Sequence, residues 1–422
     1  MVDANLFPGA DDNEILENAV RGRDGDGIVV IPPRRQTTEP ERDWWRLDRA
    51  VLLPENTTLV LRSCRIKLSD RCRDNFFRTA NCGMGFAEPE RIRNVHIRGE
   101  GLCVLEGADH PRATGDGSKL LARPCPYLDR DLCRYADWVP EERRQPDRLS
   151  FWDRHDHSYG TDADRPEESR YGDWRGIGIL FANAEDFSVE NLRIVNSHGW
   201  GISLEACAHG RIARIDFDAC MSKEIDGMLQ NMENQDGVDI RNGCHDILIT
   251  DITGRTGDDM VALTAIANDD EPYLPGGSLC TTHVMPNDWS KRDRDIHDIV
   301  IRNVMGYSSL CFLVRLLPCG SRIRNVVIDG VVDTTPDGRD TFGGILLGDL
   351  DGYGRNLPDS LSGISISNVV CRRRNGVIVQ GFLTDSAISN VVCTAEGFQA
   401  LKIERPNALR NVRTSNLVSA GE

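Results

Sequence analysis

Short apolar runs recur along the chain with the alternation of β-strands rather than the spacing of helices. The runs span about four to six residues, are rich in β-branched side chains, and are bounded by Gly, Asn, Asp or Ser. Examples are IHDIVIRNV, SRIRNVVIDGVVD and SAISNVVC. The pattern predicts many short strands separated by turns.

A polar residue marks the same place in successive copies of this pattern. Asn368 and Asn390 are 22 residues apart, and Asn390 and Asn416 are 26 apart; insertions lengthen other intervals. A fixed period with a polar corner predicts an all-β fold, a right-handed parallel β-helix. Stacked corner amides would satisfy one another. The predicted corner residues are Asn191, Asp216, Asp251, Asn303, Asp329, Asn368, Asn390 and Asn416.

The N-terminal segment GADDNEILENAVRG combines an Asp N-cap with apolar spacing through Ile15, Leu16 and Val20. It predicts an amphipathic helix that caps the solenoid, with IVVIPP as the first strand. The remaining pattern predicts one β-helix domain over residues 1–422. The C-terminal end would need a cover from a loop or another subunit, which leaves a homo-oligomer open.

Two segments break the repeat, a long one at about 108–172 and a shorter one at about 268–295. Structured loops on a rigid solenoid tend to wall the binding cleft, and we expect that role here. The long segment contains Asp153, His155, Asp156 and His157, but their spacing is not typical of a metal site.

Composition narrows the classes of partner. A net charge of −16 argues against nucleic acid or an anionic membrane, and no apolar run reaches the length of a membrane span. The first residues lack signal-peptide character, which predicts a cytoplasmic protein, or a secreted one if the N-terminus was trimmed. Fourteen scattered cysteines without a CxxC pair predict small buried thiols, and neither a metal nor a cofactor is expected.

Acidic residues cluster in two neighbouring copies, as NQDGVD and TGDD. Asp236 and Asp258 are 22 positions apart, which predicts that they stack one coil apart, with backbones about 4.8 Å from each other. Adjacent like charges raise the pKa of at least one acid, and two carboxylates are the minimum for glycoside hydrolysis. Asp259 could hold or deprotonate water. The alternative is that all three are ordinary turn aspartates.

NQDGVD followed by TGDDMVAL resembles the polygalacturonase family, glycoside hydrolase family 28, and SHGWGISLEAC resembles the coil that precedes these motifs. The opening DDNEILENAV…GIVVIPP is similar to that family's N-terminal start. The resemblance implies that the solenoid is of the pectin-lyase-like type and that Asp258 is the general acid protonating the leaving oxygen. It also implies that Asp236 and Asp259 activate water, with inversion at the anomeric carbon.

Two family motifs are missing. The expected Gly-His-Gly coil reads GYSSLCFLVRLL, and the Arg-Ile-Lys that binds a galacturonate carboxylate is absent near residues 343–349. Arg315 could replace part of that charge or be a solvated outward side chain. Pectin is therefore not the default substrate. The insertions and the absence of an export signal favour an exo-acting enzyme on an oligosaccharide.

Further residues are candidates for contacting a carbohydrate. Trp200 could stack on a sugar face, and His283 could reach the cleft in place of the missing family histidine. Glu205 is a further acid that we expect at the surface. The candidate substrate-binding residues are Asn234, Asp239, Trp200, His198, Arg315, Tyr307 and His283.

Two alternative functions remain open at this stage. A polysaccharide lyase or sugar-rearranging enzyme would use the same scaffold with a basic or phenolic base, for which Tyr307 and Arg315 are candidates. A non-catalytic carbohydrate-binding β-helix would need no acid cluster.

Overall fold

In a computed structural model, the chain forms a stack of parallel coils. The structure describes residues 1–109, 128–129, 134–135, 174–220, 222–225, 228–231, 234–266, 282–350 and 356–421, except for the single positions 37, 73, 84, 287, 291 and 340 within those ranges. Most of the predicted long insertion, including its Asp and His residues, lies outside the described residues, as does the first half of the shorter one.

The predicted N-terminal helix is confirmed as α1 (Asp12–Arg21). The Asp11 side chain accepts the N–H of Glu14, which caps the first turn. Ile15, Leu16 and Val20 are buried against the first coil. The first strand is a two-residue strand, Val2–Asp3, paired with Ile28–Ile31, so the prediction that IVVIPP begins the sheet was wrong. Within the described ranges, short 3-10 helices span Ala4–Leu6 and Trp174–Gly176.

Two large parallel sheets and two small antiparallel hairpins contain all the described strands. The first sheet consists of β1 (Val2–Asp3), β2 (Ile28–Ile31), β3 (Trp45–Leu47), β5 (Thr57–Arg62), β6 (Arg65–Leu68), β8 (Ile92–Glu100), β9 (Val104–Glu106), β13 (Ala184–Val195), β15 (Ala208–Asp218), β19 (His245–Thr256), β21 (Ile296–Ser308), β23 (Ile323–Asp333), β25 (Leu361–Cys371), β27 (Leu383–Cys393) and β29 (Leu409–Ser419). The second sheet consists of β4 (Val51–Leu53), β7 (Phe77–Thr79), β12 (Ile179–Ala182), β14 (Ile202–Glu205), β18 (Val238–Arg241), β20 (Val261–Ile266), β22 (Phe312–Cys319), β24 (Gly343–Leu347), β26 (Val377–Val379) and β28 (Leu401–Ile403). The hairpins pair β10 (Leu128–Asp129) with β11 (Arg134–Tyr135), and β16 (Ser222–Ile225) with β17 (Met228–Asn231).

The long strands of the first sheet bend at a corner inside each strand. The corner residue adopts a left-handed φ, for example 64° at Asn191 and 53° at Asn390. In-register pairing places these corners in one column. The column consists of Asn191, Arg214, Asp251, Asn303, Gly330, Asn368, Asn390 and Asn416.

Six of the eight predicted corner residues are therefore confirmed, and the prediction was wrong for Asp216 and Asp329. Arg214 and Gly330 turn the chain in those coils, because the register, and not residue type, fixes which position bends. The predicted amide ladder exists: Asn416 donates to Asn390 at 2.8 Å and Asn390 to Asn368 at 3.2 Å.

A second column of left-handed corners lies near the start of the same strands and was not predicted. Asn325 donates to Asp298 at 3.0 Å, and Asn411 donates to Asp385 at 2.6 Å. The column includes Asn94, Asp186, His209, Asp246, Asp298, Asn325, Asp385 and Asn411. Both ladders satisfy polar groups at the edges of a continuous core of Val, Ile and Leu.

Eleven cysteines fall among the described residues, all as free thiols, and all but Cys220 are buried. This burial agrees with their prediction as small apolar residues. Within the described part of the chain, no helix is long and apolar enough to cross a membrane.

Replacing a corner asparagine tests the ladder. Asn390→Ala loses the side-chain hydrogen bonds and forces Ala into a left-handed φ, so we expect the free energy of unfolding to fall by about 2 kcal/mol. Asn390→Gly loses only the hydrogen bonds and should cost about half as much. Urea denaturation measures both, and equal losses would show that backbone handedness contributes nothing at this corner.

Candidate active site

The outward face of the second sheet brings the acidic motifs together. Strand pairing aligns Asp239 with Ala262, and Ala262 with Arg315, in one outward column. The core-facing neighbours in the same strands, such as Val238 and Val261, are fully buried. Alternation along the strands thus separates a polar outer column from the apolar interior.

The register across this face differs by one residue from the sequence expectation. Val238 pairs with Val261, 23 residues further on, so continuing the register backwards sets Asp236 opposite Asp259 rather than Asp258. The backbone agrees, since the N–H of Gly237 donates to the carbonyl of Asp259 at 2.9 Å. Asp258 lies at the turn before that position.

Asp259 has the best defined partners of the four acids. One carboxylate oxygen accepts the N–H of Phe312 at 2.9 Å, and the other lies 3.3 Å from Nη1 of Arg315. Burial raises the pKa of Asp259 to about 6, against the opposing effect of the Arg315 guanidinium. Arg315 therefore faces the acids, and its alternative prediction as a solvated side chain was wrong.

Asp236 and Asp239 are buried acids with unsatisfied oxygens. Among the described residues, Oδ1 of Asp236 and Oδ2 of Asp239 have no hydrogen-bond partner, although both side chains are almost completely buried. Burial, followed by the charges of Asp239, Asp258 and Asp259, raises the pKa of Asp236 well above its usual value. Burial likewise raises the pKa of Asp239, and nearby Arg241 only partly offsets this.

Asp258 is the half-buried member of the group and is held by its backbone. Its N–H donates to the carbonyl of Gln235 at 3.2 Å, and its carbonyl accepts the hydroxyl of Thr256 at 2.7 Å. The N–H of Asp259 donates to the Asp258 carboxylate at 2.9 Å. This tight turn fixes the acid that is most open to solvent.

One set of groups is close enough to surround a metal ion. Among the described residues, Asp258, Asp259 and Cys311 place their ligand atoms within 4.8 Å of one another. Burial, together with the nearby Asp259 and Asp258 charges, raises the pKa of the Cys311 thiol, which opposes the thiolate that a metal would need. Because the guanidinium of Arg315 already lies beside Asp259, the arrangement favours carboxylates that share protons over carboxylates that bind a metal cation.

A second polar cluster lies beside the acids and was largely missed from the sequence. Glu205 is fully buried, so its prediction as a surface residue was wrong. His283 lies 2.7 Å from its carboxylate through Nδ1, and Nε2 of His283 lies 2.6 Å from Arg241. The N–H of Val284 also donates to Glu205, at 2.9 Å. The cluster fastens residues 282–285 of the shorter insertion onto the second sheet.

His283 thus reaches the outer face of the second sheet, but it bridges Glu205 and Arg241 there. Burial would raise the pKa of Glu205, yet His283, Arg241 and the Val284 N–H lower it to about 2. Arg241 also stacks on Trp200, with the guanidinium 4.9 Å from the ring centroid. Through these contacts, His283 and Trp200 pack at the edge of the acid group.

Apolar clusters flank the acids on both sides along the solenoid. Trp200 packs on the first cluster, formed by Cys82, Trp174, Ile177, Leu180, Ala182, Val284 and Met285. The second cluster is formed by Cys311, Phe312, Leu346 and Ile378, with Leu310 packed against it. The charged column thus lies between two apolar surfaces.

Three predicted site residues lie in other roles. Nε2 of His198 accepts the N–H of Ala108 at 2.9 Å, which is a structural contact. Tyr307 lies on β21 of the first sheet, where it hydrogen bonds with Arg255. Asn234 adopts a φ of 54° in the turn that leads to Asp236. Neither His198 nor Tyr307 joins the acid group.

Comparisons with known proteins agree on the fold. The surface adhesin PfbA of Streptococcus pneumoniae matches with a TM-score of 0.53 and 11% identity, over 97% of this chain and 83% of the adhesin. The tailspike protein of E. coli bacteriophage HK620, solved in complex with a pentasaccharide, matches with a TM-score of 0.52 and 13% identity, over 97% of this chain and 64% of the tailspike.

A family 28 exopolygalacturonase of Yersinia enterocolitica matches with a TM-score of 0.46 and 11% identity, over 100% of this chain and 78% of the enzyme. No protein-family model matches the sequence, and no curated protein matches it. At these identities the likeness concerns the fold alone, and the matches to the adhesin and the tailspike confirm the predicted right-handed parallel β-helix.

Glu205→Gln tests the buried cluster. Removing the charge leaves Arg241 without its buried counterion, so we expect the free energy of unfolding at neutral pH to fall by about 3 kcal/mol. Because the folded pKa is lowered, the contribution of Glu205 is complete above its unfolded pKa of about 4.3 and is lost as the pH falls towards about 2.

Denaturation of both proteins between neutral pH and pH 3 measures this difference. Glu190→Gln, which removes one partner of the more exposed Arg214 ion pair, is the control and should change stability little. A Glu205→Gln effect that stays constant as the pH falls would contradict the assigned charge.

Proposed function

We propose that this protein is a glycoside hydrolase whose site is the outer face of the second sheet. The observation that carries the proposal is four clustered carboxylates, three of them buried with raised pKa values. Burying several acids together is costly unless protons are shared, and a shared proton near neutral pH is what general acid catalysis requires. Structural aspartates that are buried are normally satisfied by donors, as Asp333 is by the N–H groups of Thr335 and Arg372.

The surroundings of each acid suggest its role. Asp258 is half-buried at the turn, so it can reach a substrate oxygen and protonate the leaving group. Asp259 ionises near pH 6 and is oriented by Phe312 and Arg315, which suits a base that holds the attacking water. The family resemblance implies that Asp236 shares with Asp259 the task of holding the attacking water. Its raised pKa favours a protonated state, so we assign it a supporting role.

Inversion stays a prediction of the family resemblance. Carboxylate oxygens of Asp258 and Asp259 lie within 4.8 Å of one another. Inverting enzymes generally separate their carboxyl groups by about 6.5–9.5 Å, so this pair alone does not account for inversion. Exo action likewise rests on the insertions, whose central parts lie outside the described residues.

One further observation supports a carbohydrate as the class of substrate. The HK620 tailspike has a comparable fold and was solved with a pentasaccharide bound. The lyase alternative is weaker on the geometry, because Tyr307 bonds to Arg255 on the first sheet and Arg315 bonds to Asp259. A binding protein without catalysis would not need three buried acids with raised pKa values.

Asp258→Asn tests the assigned acid. We expect the hydrolysis rate of a responsive oligosaccharide to fall by about 10³-fold, because Asn cannot donate the proton, while the circular dichroism spectrum stays unchanged. New reducing ends in a panel of plant and microbial oligosaccharides measure hydrolysis, and ultraviolet absorbance of unsaturated products detects a lyase. Asp333→Asn, which changes a buried carboxylate outside the site, is the matched control. Undiminished hydrolysis by Asp258→Asn would refute the role.

The pH profile tests the base. If Asp259 must be ionised, kcat/KM should fall as the pH drops below about 6. The Arg315 guanidinium lowers the pKa of Asp259, so Arg315→Gln should shift this limb to higher pH. Arg315→Lys keeps the charge and should keep the limb near its original position. An unchanged limb in Arg315→Gln would remove Asp259 from the role of base.

A further inference from the structure

An exposed aromatic ring, that of Phe342, lies two coils beyond Asp259, with the coil of Phe312 between them. The ring of Phe342 contacts the ring of Phe312 edge to face, with centroids 6.0 Å apart and planes at 68°. Phe312 is the residue whose N–H donates to the Asp259 carboxylate. Phe342 is 53% exposed, whereas Phe312 is 7% exposed. One packed ring therefore separates the exposed ring from an acid.

The position of Phe342 is fixed by its backbone. Its N–H donates to the carbonyl of Cys311 at 3.0 Å, and the hydroxyl of the preceding Thr341 donates to the same carbonyl at 2.9 Å. Single exposed apolar residues are common and carry no meaning by themselves. This one combines exposure with a hydrogen-bonded backbone and a ring contact to Phe312, whose N–H binds Asp259.

The surface under Phe342 is apolar. Phe312, Leu346 and Ile378 form the second apolar cluster, and Leu310 packs against it. Leu346 occupies the outward position directly after Arg315 in the strand register. Among the described residues, the side of the site that follows the acids thus offers carbon surface rather than a cation that could pair with a sugar carboxylate.

Charge around the acids points in the same direction. Asp236 and Asp259 interact with the guanidinium of Arg315, and Asp239 interacts with Arg241 of the neighbouring cluster. Asp258 is a fourth acid in the same group. Arg315 is already bonded to Asp259. A uronate carboxylate would add a further negative charge to this surplus, whereas a neutral sugar adds none.

We propose that Phe342 is a stacking platform for the sugar unit next to the cleaved bond. We further propose that this subsite selects a neutral pyranose with an apolar face over a uronate. Carbohydrate C–H faces pack on aromatic rings, and the ordered Phe342 ring loses little freedom on binding. The inference rests on the proposed function for the identity of the site, but its test reads binding and does not require turnover.

Binding in the Asp258→Asn background tests the platform. Calorimetry would follow neutral oligosaccharides ending in a hexose or a 6-deoxyhexose, with a galacturonate trisaccharide for comparison. We expect at least one neutral probe to bind more tightly than the galacturonate probe. Phe342→Ala should weaken that binding by roughly tenfold, and Phe342→Trp should preserve it. Met305→Ala removes a comparably exposed apolar side chain (51%) from the first sheet and is the matched control.

The outcomes separate this inference from the proposed function. Tighter binding of the galacturonate probe, no binding of any neutral probe, or equal affinity in Phe342→Ala would overturn the inference. Hydrolysis by the wild-type protein could still be present in each of those cases. Conversely, Phe342-dependent binding of a neutral sugar without any hydrolysis would support the inference and reject the hydrolase assignment.

Discussion

The in-register stacking of parallel coils is the constraint on which the rest of this structure depends. A single coil exposes its inner face, so Val, Ile and Leu side chains become buried only when the neighbouring coils align with it. The two columns of left-handed corners keep that alignment, since their side chains bond from coil to coil. Once the register is fixed, every outward position has a defined neighbour one coil away.

The candidate site follows from this stacking. Register places Asp236 opposite Asp259 and sets Asp239 in a column with Arg315. A parallel sheet keeps such neighbours about 4.8 Å apart, so the acids cannot move away from one another to relieve repulsion. Raised pKa values are the result, because protonation is then the least costly way to bury them.

The neighbouring surfaces determine what this charged column can meet. On one side, Glu205, His283 and Arg241 contact one another and hold part of the shorter insertion against the sheet. On the other side, Phe312 and Phe342 offer an apolar surface. The acid group is thus bounded by a clamped loop before it and carbon surface after it, which suits a substrate with polar and apolar faces.

The sequence by itself determined the β-helix, the capping helix, most of one corner column and the motifs that carry the acids. Those features are written in local pattern: residue period, N-cap chemistry and the placement of Gly, Asn and Asp. Only the tertiary structure decided the register, which paired Asp236 with Asp259 instead of Asp258 and put Arg214 and Gly330 at corners. It also decided that Glu205 is buried and joined to His283, 78 residues away. Such contacts depend on how coils of unequal length stack, and a local pattern does not encode that alignment.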